Sequence, residues 1–475
     1  MLSAIYERLV AAGLSLPLTW EDEINTWGQE VALFRQYAEG EHRAKLTPEM
    51  RDMLRISGSV LDTFNLNYCD LVIAKMGDRL TVAGIDADNA AGSKWAADVL
   101  SYNRIDGLQM DVHDAALRDG ITFVMVAFDN DDQQPMLAHE LAWDGDTGLI
   151  PVYDRMGKRI VAAVKVWYET STARRVNIYY ADRVEKYDTD GGGALVVHLD
   201  ANEPEHAELR GESNGVVPWV NRGVPIGVPV IPFVNRAKAR LSYGVSELAT
   251  VIPGQDALNR TLVSMIMTAE LSAFQIKVAV GFAPPAKVTP GMWLKIAEEG
   301  LSADQKVDAY ALEQAQLVPF ISEAQFLIEQ ISNVSQTPLP GQMGGDSSSG
   351  EALKQREIGL LGKVKRFQIK GGNAWEDVMR VAANVQNAFG GSAAPVVKRW
   401  TCHWEDADIR NDAEVIKNAK EMRETVGDRE FLRLVAPVWG YDQQKIDAIM
   451  AEKAQQQALA LASLPLPGFD NFTVQ

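Results

Sequence analysis

Apolar residues recur every three to four positions from the start of the chain to about residue 118, which is the spacing of amphipathic helices. The pattern is clearest in SGSVLDTFNLNYCDLVIAKMGDRL and in AGSKWAADVLSYNRIDGLQMDVHDAALRDG, where it stops at Gly120. From residue 121 the period shortens to two, in β-branched and aromatic runs: ITFVMVAFDND, RIVAAVKVWYE, RRVNIYYADRVEKYD and ALVVHLD. These patterns predict helices followed by an antiparallel meander, with one more strand in VPVIPFVNR after the polar segment 201–227.

Helical spacing returns after residue 240. PGQDALNRTLVSMIMTAELSAF is predicted to bury one face made of Leu258, Leu262, Met265, Ile266 and Ala269. A shorter helix in ISEAQFLIEQISNVS precedes a loop rich in Pro, Gly and Ser. The next helix runs from about 350 to 389, where Gly371 and Gly372 are expected to bend it, and the charged region 400–462 is also predicted to be helical. The fold class predicted from these patterns is α+β, mainly helical.

Composition limits what the chain can bind. It has 475 residues, enough for two to four structural units, and its 46 basic against 64 acidic residues give a net charge of −18. General attraction to nucleic acid or to an anionic membrane is therefore not expected, because both carry the same sign of charge. Cys69 and Cys402 are too few for a disulfide framework or a cysteine zinc site, which fits a reducing compartment. No signal peptide is expected at the N-terminus, and the apolar run TLVSMIMTA is too short to span a bilayer.

Three short motifs resemble catalytic ones, and each lacks the context that its chemistry needs. GESNG has the form of a nucleophile elbow around Ser213, but no buried strand leads into it. GDSSSGEA has the glycine spacing of a phosphate-binding loop, with Glu351 where the lysine should be. The acidic run Asp129–Asp132 is better explained as a hairpin turn than as a cation site, and the histidines show no ligand spacing. The sequence therefore predicts no enzyme activity, no cofactor and no metal site.

A basic stripe is the least expected feature of this acidic chain. Arg356, Lys363, Arg366 and Lys370 fall within about 80° of one another on the predicted long helix. Leu353, Leu360, Val364 and Phe367 form the neighbouring apolar arc. The stripe is either a solvated helix face or a surface that meets acidic groups, and composition does not decide between the two.

The order of several segments resembles the portal proteins of tailed bacteriophages, most closely the siphophage-type portal family. The segments are YGVSELATVIPGQDALNRTLVSMIMTAELSAF, then SSSGEALKQREIGLLGKVKRFQ, then WEDADIRNDAE. LNYCDLVIAKMGDRLTVAGI also resembles the early helix-to-strand passage of that family. The resemblance implies a portal fold in seven consecutive parts: a wing at 1–240, a first stem helix at 241–272, a clip at 273–320, a second stem helix at 321–336, a channel loop at 337–349, a long bent wing helix at 350–389, and a crown with the C-terminal tail at 390–475.

The same resemblance implies a function. It is a homo-oligomeric ring, of twelve subunits in this family, that forms a channel at one capsid vertex for DNA packaging and ejection. The implied partners are double-stranded DNA bound without sequence specificity, terminase, capsid and scaffolding proteins, and a head–tail adaptor, with no membrane. The implied locations are the virion and, during assembly, the host cytoplasm. Two alternatives stay open: another virion neck or adaptor protein, and a soluble hydrolase using Ser213 or Asp129–Asp132.

Two sets of residues are expected to act in such a ring. The channel loop contains no Lys, Arg or aromatic residue, so it offers DNA neither phosphate pairing nor base stacking. Its residues Gln342, Met343, Asp346, Ser347 and Ser348 are expected to face the DNA as a sliding contact. The basic stripe is expected to lie between subunits, against acidic neighbours.

Overall fold

Helices make up most of the N-terminal region, as the spacing predicts. The bounds are α1 Leu2–Ala11, α2 Trp20–Ala38, α3 Pro48–Ser57, α4 Tyr68–Gly77, α5 Ala90–Tyr102 and α6 Ile105–Asp119. Asn67 caps α4 by accepting from the backbone N–H groups of Cys69 and Asp70. α6 ends at Gly120, whose φ of 86° is a backbone conformation that glycine adopts without strain. Strand β1, Val82–Ala87, follows α4, which confirms the helix-to-strand passage.

Two antiparallel sheets follow, and they confirm the predicted meander. The smaller sheet has the order β12-β2-β3, and the larger has the order β4-β5-β6-β7-β8 with β9 also paired to β7. The short strands β10 and β11 pair with each other. The bounds are β2 Ile121–Asp129, β3 Gln134–Glu140, β4 Gly148–Tyr153, β5 Ile160–Tyr168, β6 Arg174–Tyr180, β7 Arg183–Thr189, β8 Leu195–Val197, β9 Val216–Pro218, β10 Val220–Asn221, β11 Val224–Pro225 and β12 Val230–Val234.

The chain then returns to helices. A 3-10 helix, η1 (Glu247–Thr250), leads into α7 (Ile252–Ala273), which packs against α8 (Val318–Ser335). Between these two helices, β13 (Lys277–Val280) and β14 (Asp308–Ala311) form an antiparallel pair. The long helix α9 spans Gly350–Phe389.

Helix α9 is unbroken through its glycine pair, and the pair serves close packing. A Cβ on Gly372 would stand 3.1 Å from Nε1 of Trp404, and one on Gly371 would stand 3.3 Å from Cζ2 of the same ring. Trp404 belongs to β15 (Trp400–Trp404), which pairs antiparallel with β1. The prediction that 400–462 is helical was therefore wrong for Trp400–Trp404, which form a strand. Later in the same region, α10 spans Gln443–Ala462.

The computed structural model describes most of the chain in two compact units, residues 1–407 and 408–475. The described residues are 1–57, 64–154, 156–157, 159–170, 174–189, 193–197, 215–236, 243–273, 277–280, 308–311, 316–340, 350–407, 419–421, 431–432, 435–436 and 443–462. Over these ranges, no helix is both long and apolar enough to cross a membrane.

Two cores stabilise the first unit. One packs α1 and α2 against the larger sheet around Trp143, Leu149 and Val164. The other joins α4, α5 and α6 to β2, β12 and α9, with Trp375 fully buried among them. Leu360, Val364 and Phe367 point into this second core, which confirms these three members of the apolar arc predicted for α9; the side chain of the fourth, Leu353, lies outside the described residues.

The buried face of α7 differs from the predicted one. Gln255, Leu258, Asn259, Val263 and Met267 are buried, whereas the predicted Leu262, Met265, Ile266 and Ala269 are only half-buried. The reason is a polar contact with an earlier segment. The amide of Gln255 accepts from the backbone N–H of Tyr68 at 2.9 Å and donates to the carbonyl of Leu66 at 2.6 Å, and the side-chain oxygen of Asn259 accepts from the N–H of Leu66 at 3.1 Å.

Candidate functional site: a basic cleft beside a buried ion pair

A buried ion pair connects the long helix to the segment that precedes α7. Lys363 of α9 and Glu247 of η1 are 7% and 2% exposed and form a salt bridge. The ammonium of Lys363 also donates to the carbonyl of Ser335 at the end of α8, at 2.8 Å. Burial lowers the pKa of Lys363, and the carboxylate of Glu247 opposes that effect. One lysine thus holds three elements together.

Glu247 has two further partners, which satisfy its buried oxygens. The side-chain amide of Asn235 donates to Oε1 at 2.9 Å, and Nε of Arg236 lies 2.9 Å from the same atom. Arg236 also donates from Nη2 to the carbonyl of Ser246 at 3.2 Å. Both residues come directly after β12, so the end of this strand is attached to η1.

A cleft of about 290 Å³ opens over this ion pair. Its lining combines cations with apolar groups: Met76, Asn235, Arg236, Glu247, Lys363, Arg366, Phe367, Ile369 and Lys370. Arg366 and Lys370 are exposed at its edge. Four cations surround a single carboxylate, so the cleft is positively charged and suits a carboxylate or another anionic group.

The structure brings together three of the four residues of the predicted basic stripe. Lys363 forms an ion pair with Glu247 of the same chain, whereas Arg366 and Lys370 face solvent. Arg356 lies within α9, but its side chain is outside the described residues. The predicted channel-loop residues, Gln342, Met343, Asp346, Ser347 and Ser348, also lie outside the described residues.

The catalytic motifs considered from sequence can be placed in part. The run Asp129–Asp132 forms the turn between β2 and β3, where a side-chain oxygen of Asp129 accepts from the N–H of Asp131 at 2.8 Å. His403 lies in β15, with Nε2 3.2 Å from a carboxylate oxygen of Asp86. Ser213 lies outside the described residues. Over the ranges that the structure covers, no group of three or more His, Cys, Asp or Glu side chains could hold a metal ion.

Sequence reasoning missed Asn235, Arg236 and Glu247 as members of the site. Asn235 and Arg236 end an ordinary strand, and Glu247 starts a short 3-10 helix after a capping serine. No local pattern relates these positions to Lys363, because they meet only when β12, η1 and α9 pack together. The site as a whole is a positively charged cleft where β12, η1 and α9 meet.

Comparison with known proteins identifies the family of this chain. The sequence profile of the family described as “Phage portal protein, SPP1 Gp6-like” matches residues 62–459. The portal protein of Mycobacterium phage L5 is 29% identical over 373 residues, which cover 72% of this chain and 69% of that protein. The portal protein of Mycobacterium phage D29 is 27% identical over 368 residues, with the same shares covered.

The chain therefore belongs to the SPP1 Gp6-like family of phage portal proteins. The resemblance inferred from the order of segments is confirmed, and so is the function it implied: a channel at one capsid vertex through which phage DNA is packaged and ejected. This is a family of structural virion proteins, and its members act as oligomeric rings.

Proposed function

We propose that this chain forms a closed ring of about twelve copies in which α7 and α8 line the DNA channel. The close packing of these two helices supports their assignment as the stem that lines the channel. A Cβ on Gly254 of α7 would stand 2.8 Å from Cγ1 of Ile331 of α8, and the hydroxyl of Thr261 donates to Glu323 at 3.3 Å. The β13–β14 pair lies between them in the chain, as a clip at the end of a two-helix stem would.

The remaining parts of the proposed portal fold follow the chain order. The wing comprises 1–240 together with the long helix 350–389, the stem helices lie in 241–272 and 321–336, and the clip lies in 273–320. For the crown we now propose 408–475 rather than 390–475. The reason is that β15 pairs with β1, so residues up to 407 belong to the first compact unit.

Within the predicted channel loop 337–349, Thr337 and Leu339 are buried, so we propose that the part that slides along the DNA is 341–349. A loop without Lys, Arg or aromatic residues offers phosphates no partner and bases no stacking surface. The residues proposed to face the DNA are Gln342, Met343, Asp346, Ser347 and Ser348. The net charge of −18 for each subunit adds to the repulsion that keeps DNA from binding tightly to the ring.

The intersubunit role proposed for the basic stripe is assigned to its exposed members. Arg366 and Lys370 are available to a neighbouring subunit, and Arg356 stays in the proposal on sequence grounds alone. Lys363 supports that surface from inside the subunit, where it pairs with Glu247. Terminase, capsid and scaffolding proteins and a head–tail adaptor are the further partners we propose. The chain would act in the virion after assembly in the host cytoplasm.

The sliding role is tested by adding positive charge to the loop. Gln342→Lys combined with Asp346→Lys should lower the DNA packaged by assembled proheads several-fold, because each new lysine attracts phosphates. The matched control is Gln342→Ser with Asp346→Asn, which alters the same positions without adding a cation. Equal packaging by the lysine variant and its control would refute the sliding role.

We also propose that the purified ring has no hydrolase activity of its own. Glu351 occupies the position of the lysine that a phosphate-binding loop requires, and the sequence around Ser213 lacks the strand of a nucleophile elbow. Nucleotide, DNA and ester hydrolysis should stay at background. A turnover that disappears in Ser213→Ala or Asp131→Ala would overturn this proposal.

A further inference from the structure

Helix α9 carries an apolar strip on its solvent side, bordered by cations. Ile358 and Ile369 are 64% and 63% exposed. Gly362 lies between them on the same face, and a Cβ there would meet no atom within 4 Å. Lys365, Arg366 and Lys370 are exposed beside the strip, and none of them forms an ion pair within the part of the chain that the structure covers. We call this surface the basic face of α9.

Helix α6 presents a surface of opposite charge but similar construction. Met110 is 63% exposed, and Gly107, one turn earlier, also has open space around its Cβ position. Asp106, Asp111 and Asp114 are exposed around them, and they too form no ion pair among the described residues. We call this surface the acidic face of α6.

The acidic face carries concentrated negative charge. The side chain of Asp114 is open to solvent on one side, but its carboxylate lies against Gly77 of α4. Loss of water there raises the pKa of Asp114 to about 6; the carboxylates of Asp78, Asp111 and Asp70 raise it further, and Arg118 opposes them. Carboxylates that repel one another in the free subunit gain most from a cation brought by another molecule. A basic partner surface would relieve this repulsion.

The two faces belong to separate helices of the same unit. α6 and α9 meet inside this unit, where the buried indole N–H of Trp375 donates to His113. A ring that closes by head-to-tail contacts requires two different, complementary surfaces on every subunit.

We propose that the acidic face of α6 in one subunit packs on the basic face of α9 in the next subunit of the ring. Asp111 and Asp114 would oppose Lys365, Arg366 and Lys370, while Met110 would lie over Gly362 between the two isoleucines. Two helices approach closely where a glycine leaves room for a side chain of the partner. This inference deepens the proposed ring and depends on it.

Charge reversal tests the contact. Lys365→Glu with Arg366→Glu, and separately Asp111→Lys with Asp114→Lys, should each lower the fraction of rings about tenfold at low salt, because each opposes like charges. Higher salt should reduce the defect through screening. The four changes combined should restore the rings. Sedimentation velocity gives the ring fraction, and circular dichroism checks folding.

The matched control is Lys398→Glu with Arg399→Glu, an adjacent exposed pair on a different segment. It makes the same change in charge and should assemble like the wild type. Equal defects in the control and in the α9 variant would contradict the inference, and so would a combined variant that stays as defective as each pair alone. If the wild type itself forms no ring, the proposed function fails instead, so the two failures are distinguishable.

Cysteine crosslinking provides a second test that does not depend on weakening the ring. Met110→Cys and Ile369→Cys on the same chain should give a ladder of crosslinked multimers with a short bismaleimide. Each single variant should give only a trace of dimer. The native Cys69 is buried and Cys402 is half-buried, so the background should be low. Crosslinks confined to single chains, or no ladder at all, would overturn the proposed contact.

Discussion

The indole N–H of Trp375 donates a hydrogen bond to Nε2 of His113 at 3.1 Å. Because an indole can only donate, Nε2 must accept, and the proton of the neutral imidazole lies on Nδ1. Nδ1 in turn donates to the carbonyl of Leu80 at 2.8 Å. One buried histidine thus connects α6 to α9 and to the turn after α4, with both ring nitrogens satisfied.

This arrangement predicts acid sensitivity of the first unit. Burial lowers the pKa of His113 to about 4, which the hydrogen bond to Leu80 opposes. The folded state therefore binds fewer protons than the unfolded state between about pH 4 and 6.5, so stability falls as pH falls through that window. From pH 7 to pH 5 the contribution of His113 should cost about 2 kcal/mol of unfolding free energy.

Chemical denaturation at the two pH values measures this loss. His113→Phe should lower stability at both pH values. It should also reduce the difference in unfolding free energy between pH 7 and pH 5 by about 2 kcal/mol. Phe367→Leu is the control, because it weakens the packing beside the ring of His113 without removing a titratable group and should leave the dependence on pH as in the wild type. An unchanged dependence in His113→Phe would show that another group causes it.

The pair Lys363 and Glu247 should respond unequally to the loss of either partner. Glu247→Gln leaves the ammonium of Lys363 buried without a counter-charge and should cost about 3 kcal/mol of unfolding free energy. Lys363→Met should cost only about 1–2 kcal/mol, because Asn235 and Arg236 still satisfy Glu247. The double variant should be more stable than Glu247→Gln alone. Urea denaturation of the three variants checks the order, and equal costs for the two single changes would contradict the geometry.

Substitution by alanine should affect stability differently at Gly362 and at Gly372 of α9. Gly362→Ala should stabilise the subunit by about 0.5–1 kcal/mol, since alanine favours the helix and a Cβ there meets nothing. Gly372→Ala should leave stability unchanged or lower it, because its Cβ would stand 3.1 Å from Nε1 of Trp404 and 3.6 Å from Cβ of Cys402. Thermal unfolding of both variants tests this difference. A gain at Gly372 as large as at Gly362 would show that β15 does not pack closely on α9.

The sequence predicted correctly those helices and strands whose buried residues match the spacing of apolar residues along the chain. The meander, α9 and its apolar arc of Leu360, Val364 and Phe367 are of this kind. The face of α7 was misjudged, because Gln255 and Asn259 are buried through bonds to the backbone near Leu66, which no spacing rule contains. β15 was missed for a similar reason, since it exists as a strand only by pairing with β1.

The candidate site was predictable only in outline. The stripe of cations on α9 was visible as a helical periodicity, and two of its members are exposed, as a docking surface requires. That Lys363 is buried against Glu247 depends on the meeting of β12, η1 and α9, which are distant in sequence. The acidic face of α6 could not be predicted as an interface, because exposed carboxylates are common on helices. It becomes a candidate interface only because α9 carries an exposed face of opposite charge.

The mass of the native assembly tests the central claim most directly. The purified full-length chain should give, by native mass spectrometry at near-neutral pH, one dominant species of about twelve times the 52.2 kDa subunit mass. Electron microscopy of the same sample should show a ring with an open centre. A population made only of monomers or dimers at micromolar concentration, with no ring in any salt condition, would contradict the account.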